Sequence, residues 1–258
     1  MRLVEISDPS DPRLDDFRDL TDADVRPDRR GVVIAEGVNV VERLAGSPYR
    51  IRAIAGVPAR IDALRTVLEP LAVDVFSMDK WTLSDVAGFR VTRGVLASAD
   101  RPPAPDVAAL IAGARRLAVL EGLNDFENLG ALFRNAAAFG VDAVLLDPQT
   151  ADPLYRRSVR VSMGHVLRVP FAMLPGRWPD SLSLLDGFER LALTPRGDVD
   201  LRAIERPERW AVLLGAEGPG LSAEALARAD RRVRIPMAPG VDSLNVATAA
   251  AIAFAQLA

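Results

Sequence analysis

The chain has 258 residues, a net charge of −3, no cysteine and one histidine, His165. These counts exclude disulfides, thiolate metal sites, cysteine nucleophiles and multi-histidine metal centres, so no metal is expected. Hydrophobic residues at 49% and charged residues at 26% are ordinary for a globular protein, and no apolar run reaches the roughly 18 residues of a membrane span. The opening stretch MRLVEISDPSDPRLDDF places acids and prolines where a secretory signal needs an apolar core, so a cytoplasmic location is expected. Lys80 is the only lysine among the cations. A dominance of arginine suits phosphate recognition but also follows from a GC-rich genome, so composition alone names no partner.

In chain order, RRGVVIAEGVNVVERLAGS reads as a strand, Gly37 and a helix, and YRIRAIAGV as a second strand. PARIDALRTVLEPLA is amphipathic, with Pro58 near a helix start. VDVFSM and GFRVTRGVLAS supply two further strands, separated by a short helix. This alternation predicts a small α/β domain over residues 1–100. The proline-rich ADRPPAPD marks a boundary, with residues 101–106 as linker and 107–258 as a second α/β domain. There RLAVLEGL, VDAVLLD, ERLALTP, RWAVLLGAEGPGLS and RRVRIPM alternate with helical stretches. Continuous apolar runs such as AVLLG suit strands covered on both faces of a parallel sheet, whose ligands sit in the loops at the strands' carboxyl ends.

Three such loops carry unusual chemistry. NDFENLGALFRNAAAFG predicts a helix from about Asn128 to Phe139, with Leu129, Leu132, Phe133 and Ala136 on its apolar stripe. Gly130, Ala131, Ala137 and Ala138 leave its other side small, Gly140 ends it in a left-handed turn, and Arg134 lies on the flank. A lone helical arginine is usually a solvated charge, so periodicity does not make Arg134 a site residue. LLGAEGPGLS has G-x-x-G-x-G spacing, which is neither a dinucleotide fingerprint nor a P-loop, with Glu217 among the glycines and Ser222 as a helix cap. IPMAPGVDSLNVATAAAIA ends a strand near Pro236 and begins the last helix with Asp242 or Ser243 as cap. Capping explains Ser243; it explains Asn245, a mediocre helix former, poorly.

In order and spacing the three stretches resemble the SpoU (TrmH-like) branch of the SPOUT RNA methyltransferases. RRSVRVSMGHVLRVPF is similar to the segment that family carries between its first two motifs, and VVIAEGVNVVERL and TRGVLA to the N-terminal RNA-binding domain of its rRNA-type members. The resemblance spans about Arg115 to the C-terminus. It implies S-adenosylmethionine as methyl donor, an RNA ribose 2′-hydroxyl as acceptor, a C-terminal trefoil knot and a homodimer with sites at the interface. It assigns catalytic roles to Asn128, Arg134, Glu217, Ser243 and Asn245, with Arg134 nearest the acceptor hydroxyl. Gly215, Ile235, Met237 and Leu244 match its donor-binding loops. The sequence departs from the family at DFEN, Ala216 and Ala247, all neighbours of those residues.

Arg156, Arg157 and Arg160 share a helical turn and are candidates for RNA phosphates, with a solvated face as the alternative; Arg93 beside Gly94 is another candidate. His165 reads as structural rather than as a proton acceptor. The competing function is a non-catalytic RNA-binding protein that keeps the fold; a nucleotide-cofactor enzyme lacks its phosphate motif. An additional N-terminal domain favours large-subunit ribosomal RNA over tRNA.

Overall fold

The computed structural model describes residues 1–20 and 31–258, so Arg29 and Arg30, which open the predicted first strand-helix stretch, lie outside the described residues. It divides into two compact units, Met1–Pro103 with Pro153–Arg168, and Ala104–Asp152 with Val169–Ala258. The chain leaves the first unit inside the proline-rich linker. The segment Pro153–Arg168 groups with that first unit, although residues 107–258 were expected to form one uninterrupted domain.

The first unit is built on a five-stranded sheet in the order β1-β4-β3-β5-β2. Its strands are β1 Arg2–Glu5, β2 Val32–Glu36, β3 Ile51–Gly56, β4 Asp74–Ser77 and β5 Val95–Asp100. β4 runs parallel to β1 and β3, whereas β5 is antiparallel to β2 and β3. β1 was not anticipated: its four residues RLVE are largely exposed, and they gain order from pairing with β4, far along the chain. The stretch read as one amphipathic helix is two, Pro58–Ala63 and Arg65–Leu68, meeting at Leu64. Leu14, Phe17, Leu83 and Leu96 are fully buried in this unit's core.

The second unit is a seven-stranded sheet in the order β10-β12-β9-β11-β6-β7-β8, parallel at every pairing. Its strands are β6 Arg116–Glu121, β7 Ala143–Leu146, β8 Phe171–Met173, β9 Glu189–Leu193, β10 Val199–Asp200, β11 Trp210–Gly215 and β12 Arg231–Arg234. β11 (WAVLLG) and β7 (AVLL) are buried at every residue, as strands covered on both faces must be.

Two helices that pack together lie against the strands of this sheet. Phe126–Ala138 starts two residues before the sequence placed it, because Asp125 is the cap and accepts a 2.7 Å hydrogen bond from the Asn128 amide. It ends as expected at Gly140, whose φ of +67° lets the Val141 amide turn back to the Ala136 carbonyl. Phe133 anchors it edge-on against Phe171 of β8, with centroids 5.6 Å apart. The last helix, Val246–Leu257, is anchored by Phe254 stacked on Trp210 of β11, whose indole N–H reaches the Leu257 carbonyl. The two helices pack together, and the Asn135 amide donates to the Ala247 carbonyl at 2.8 Å.

Candidate functional site

The cap of the last helix is Asn245, not Asp242 or Ser243. Its side-chain oxygen accepts from the amides of Ala247 at 3.0 Å and Thr248 at 3.2 Å. This leaves the side-chain NH2 free to donate outwards, and it does so twice: to Asn128 Oδ1 at 2.7 Å and to Glu217 Oε1 at 2.9 Å. One amide therefore ties together all three loops picked out in the sequence. An aspartate would cap equally well but offers no donors. That second duty explains an asparagine that helix propensity did not.

Gly215 ends β11, and the loop after it folds back so that Ala216 and Gly220 form a bridge. A Cβ on Gly215 would lie 2.2 Å from the backbone of Gly220 and Leu221. Glycine is required here for the loop to close on itself, rather than for a left-handed conformation. Gly218 and Gly220, at φ of +87° and +72°, supply that. Ser222 caps the next helix, Ala223–Arg228, as predicted from sequence.

Behind these loops stand three residues that sequence reasoning passed over. Glu121, closing β6, accepts from Trp178 Nε1 at 2.6 Å and from the Ser222 amide at 2.9 Å, holding the glycine loop from below. Asp147, 1% exposed beyond the end of β7, accepts from the amides of Gly122 and Thr150 and from the Thr150 hydroxyl. The Thr150 oxygen in turn accepts from the Leu123 amide at 3.2 Å, so the pair fixes the turn that enters the Phe126–Ala138 helix. The signal available in the sequence was an acid ending an apolar strand, in LAVLE and AVLLD.

A cleft of about 680 Å³ opens between these loops, within the size range of sites for nucleoside-sized ligands. Gly215, Ile235, Met237 and Leu244 all line it, as do Glu217, Ser243 and Asn245. Arg134 does not join them. It is exposed, with no hydrogen bond or ion pair among the described residues. Six residues along a helix turn it roughly 240° from Asn128, away from the face that meets Asn245.

The arginines proposed for RNA phosphates divide. Arg156 and Arg160, in the helix Arg156–Val161, donate to Glu36 Oε2 at 2.8 and 3.3 Å; Glu36 ends β2 with its side chain 1% exposed. The Arg156 guanidinium also lies 4.2 Å over the Phe89 ring. Both are tied to a buried carboxylate, so neither belongs to a plain solvated face. Arg157 and Arg93 are exposed, and His165 sits half-buried in a 3-10 turn of the same unit.

A model of the SpoU rRNA Methylase family matches residues 115–255, the span that contains the cleft. The chain belongs to that family. It is 51% identical, over 97% of its length and 90% of the other's, to an uncharacterised tRNA/rRNA methyltransferase of Mycobacterium tuberculosis. It is 32% identical to the Bacillus subtilis 23S rRNA (guanosine(2553)-2′-O)-methyltransferase over 55% of this chain and 57% of that one. In fold it resembles the crystal structure of an AdoMet-bound rRNA methyltransferase from Sinorhizobium meliloti, with a TM-score of 0.82 over 99% of this chain and 97% of that one at 23% identity. The protein is an S-adenosylmethionine-dependent RNA methyltransferase of the SpoU type.

The cleft of this SpoU methyltransferase fits its donor chemically. Leu214, Ile235, Met237 and Leu244 give apolar walls for an adenine ring, and exposed backbone of the glycine loop offers donors and acceptors for its polar edge. Glu217 and Asp242 supply carboxylates to the cleft, suited to a cationic group.

Proposed function

We propose that the protein methylates a ribose 2′-hydroxyl of structured RNA, with 23S rRNA rather than tRNA as substrate. The observation that carries this reading is the Asn245 amide joining Asn128 and Glu217 at the rim of a nucleoside-sized cleft. The Bacillus subtilis relative, which acts on 23S rRNA, and the separate first unit both support a ribosomal substrate.

When bound, S-adenosylmethionine supplies an electrophilic methyl group. The chain must present an oxygen in line and ease loss of its proton, with one lysine, one histidine and no cysteine to draw on. A guanidinium offers only donors, so Arg134 does not take the proton itself. Its planar fork instead bridges the hydroxyl and a neighbouring phosphate, so the proton departs in a charge-compensated setting. Glu217 and Asn245 hold each other's orientation, and Ser243 adds an exposed hydroxyl to the cleft. Because Arg134 faces away from the Asn128–Asn245 contact, the arginine that serves a given cleft comes from a second copy of the chain. The site is completed in a homodimer, and the trefoil knot belongs to the same reading, supported by the packing of the last helix against Phe126–Ala138.

Mapping ribose methylation in total RNA from cells with and without the gene tests this reading. The expected result is loss of one 2′-O-methyl mark in 23S rRNA. Loss of a tRNA mark would move the substrate, and loss of no ribose mark would overturn the assignment. Calorimetry with S-adenosylmethionine separates an enzyme from an RNA-binding protein that keeps the fold: the latter shows no heat of binding.

A further inference from the structure

Trp81 is 84% exposed, which no packing in the first unit explains. Its two fellow tryptophans are covered, Trp210 at 1% exposure and Trp178 half-buried. Trp81 follows Lys80 at the start of the helix Lys80–Ala87, where Asp79 turns inward as cap and accepts from the Trp81 and Thr82 amides.

The sheet register places this tryptophan at a basic edge. Gly56 of β3 pairs with Ser77 of β4 and with Val95 of β5, and Glu36 of β2 pairs with Leu96. Lys80 and Trp81 therefore leave the same end of the sheet as Arg60, four residues past Gly56, and as Arg90 and Arg93, which precede Val95. Arg60 packs across Gly94 and Arg93 across Gly37; an added Cβ would come within 3.1 and 3.4 Å of their side-chain carbons. Several described arginines of this unit are spent on carboxylates: Arg2 on Asp74, Arg13 on Asp11, Arg52 on Asp16, Arg65 on Asp62, and Arg156 and Arg160 on Glu36. Arg60, Arg90, Arg93 and Lys80 are exposed and have no such partner among the described residues.

We infer that this edge is a binding site for an unpaired stretch of RNA, with a base stacked on the Trp81 indole and the flanking phosphates on Lys80, Arg60 and Arg93. The inference rests on the reading of the protein as an RNA methyltransferase and adds where, and by what contacts, the first unit grips its substrate. A large exposed indole beside unpaired cations is the combination that single strands need, because every base has a π-face and every linkage a charge. A duplex buries its base faces and cannot use the indole.

Trp81 is its own reporter, since it is the most exposed of the three tryptophans and dominates quenching from the aqueous phase. The full-length protein is titrated with poly(A), poly(U) and duplex RNA while iodide quenching of tryptophan fluorescence is followed, and affinities are compared for wild type, Trp81→Phe and Trp81→Ala. Expected is a loss of iodide access with single strands and not with duplex. Trp81→Ala should weaken poly(A) binding by roughly 5- to 100-fold, with Trp81→Phe in between and S-adenosylmethionine binding unchanged in both. Unchanged quenching at saturating poly(A), or wild-type affinity in Trp81→Ala, overturns the inference and leaves the methyltransferase reading standing. Shielding that grows with protein concentration and needs no RNA also overturns it, because a second protein copy then covers the indole. Failure to bind any RNA removes the functional reading itself.

Discussion

The two units end their strands in acids, yet use them in opposite ways. In the first, Glu36 lies buried at the end of β2 and is neutralised by two guanidinium groups. In the second, Glu121 and Asp147 stand at strand ends with no cation paired to them among the described residues; their partners are amides, a hydroxyl and an indole N–H. Charge pairing fastens a helix to a sheet. Neutral donors to a carboxylate shape a loop instead. Arg134, the arginine proposed to serve the reaction, has no hydrogen-bond or ion-pair partner among the described residues.

The largest expected effect tests that last point. Arg134→Ala should lower methyl transfer by about 10²–10⁴-fold, the range of one well-placed proton-transfer or charge-stabilising group, with donor affinity unchanged by calorimetry. Arg134→Lys keeps the charge and loses the fork, so it should recover little. A lysine variant working at the wild-type rate would show that charge alone suffices. Mixing Arg134→Ala chains with chains lacking Asn245 and Glu217 side chains should restore some activity if two copies share each site; no recovery would place the whole site in one chain.

The ion cluster of the first unit comes next. Glu36→Ala leaves two guanidinium groups facing a buried, uncompensated position and should cost about 3–5 kcal/mol in urea unfolding. Glu36→Gln keeps the shape and one acceptor and should cost less. A cost for Glu36→Ala below about 1 kcal/mol would mean that Arg156 and Arg160 swing out to water, and the contrast between the units would weaken.

Asn245 separates two roles that one side chain combines. Asn245→Asp keeps the cap and sets a carboxylate against Glu217, whereas Asn245→Ala loses both cap and donors. Thermal stability should fall by about 1–2 kcal/mol in the alanine variant and little in the aspartate variant. Activity should fall in both. Full activity in Asn245→Asp would reduce the residue to a helix cap.

What the sequence disclosed follows the range of the forces involved. Most strands of both units were legible because apolar runs such as WAVLLG are local, whereas β8 and β10, Phe171–Met173 and Val199–Asp200, are too short to carry such a run and were missed; the Gly140 stop was legible because one φ decides it. The site residues emerged only from the order of three loops, since Asn128, Glu217 and Asn245 meet across 28 to 117 residues of chain. The same distance hid the partner of Arg156 and Arg160: Glu36 lies 120 and 124 residues upstream. An acid closing the apolar VVIAE was the available hint. Helical spacing alone grouped Arg157 with its neighbours, but burial, which spacing does not report, separates them. β1 was missed because a four-residue, mostly exposed strand carries no pattern of its own.

The smallest effect lies at the opposite end of the second sheet from the cleft. Arg190, in β9, grips the Asp230 carboxylate with its amide at 2.7 Å and its guanidinium at 2.8 and 3.0 Å, and these hydrogen bonds hold the carboxyl below its usual range. A lowered folded-state pKa stabilises the protein above the unfolded value of about 3.9, and that contribution disappears as the pH falls through the folded value. With the Asp230 side chain 40% exposed, screening limits the contribution to under about 1 kcal/mol. Asp230→Asn should therefore lower stability slightly at neutral pH and flatten its decline below pH of about 4, read by urea unfolding across pH. Methyl transfer should be untouched, because β9 reaches the cleft at its other end, through Leu193 and Thr194. If Asp230→Asn impairs transfer as strongly as Asn245→Ala, the carboxyl-edge loops are not set by their local donors, and the functional division between the two ends of this sheet fails.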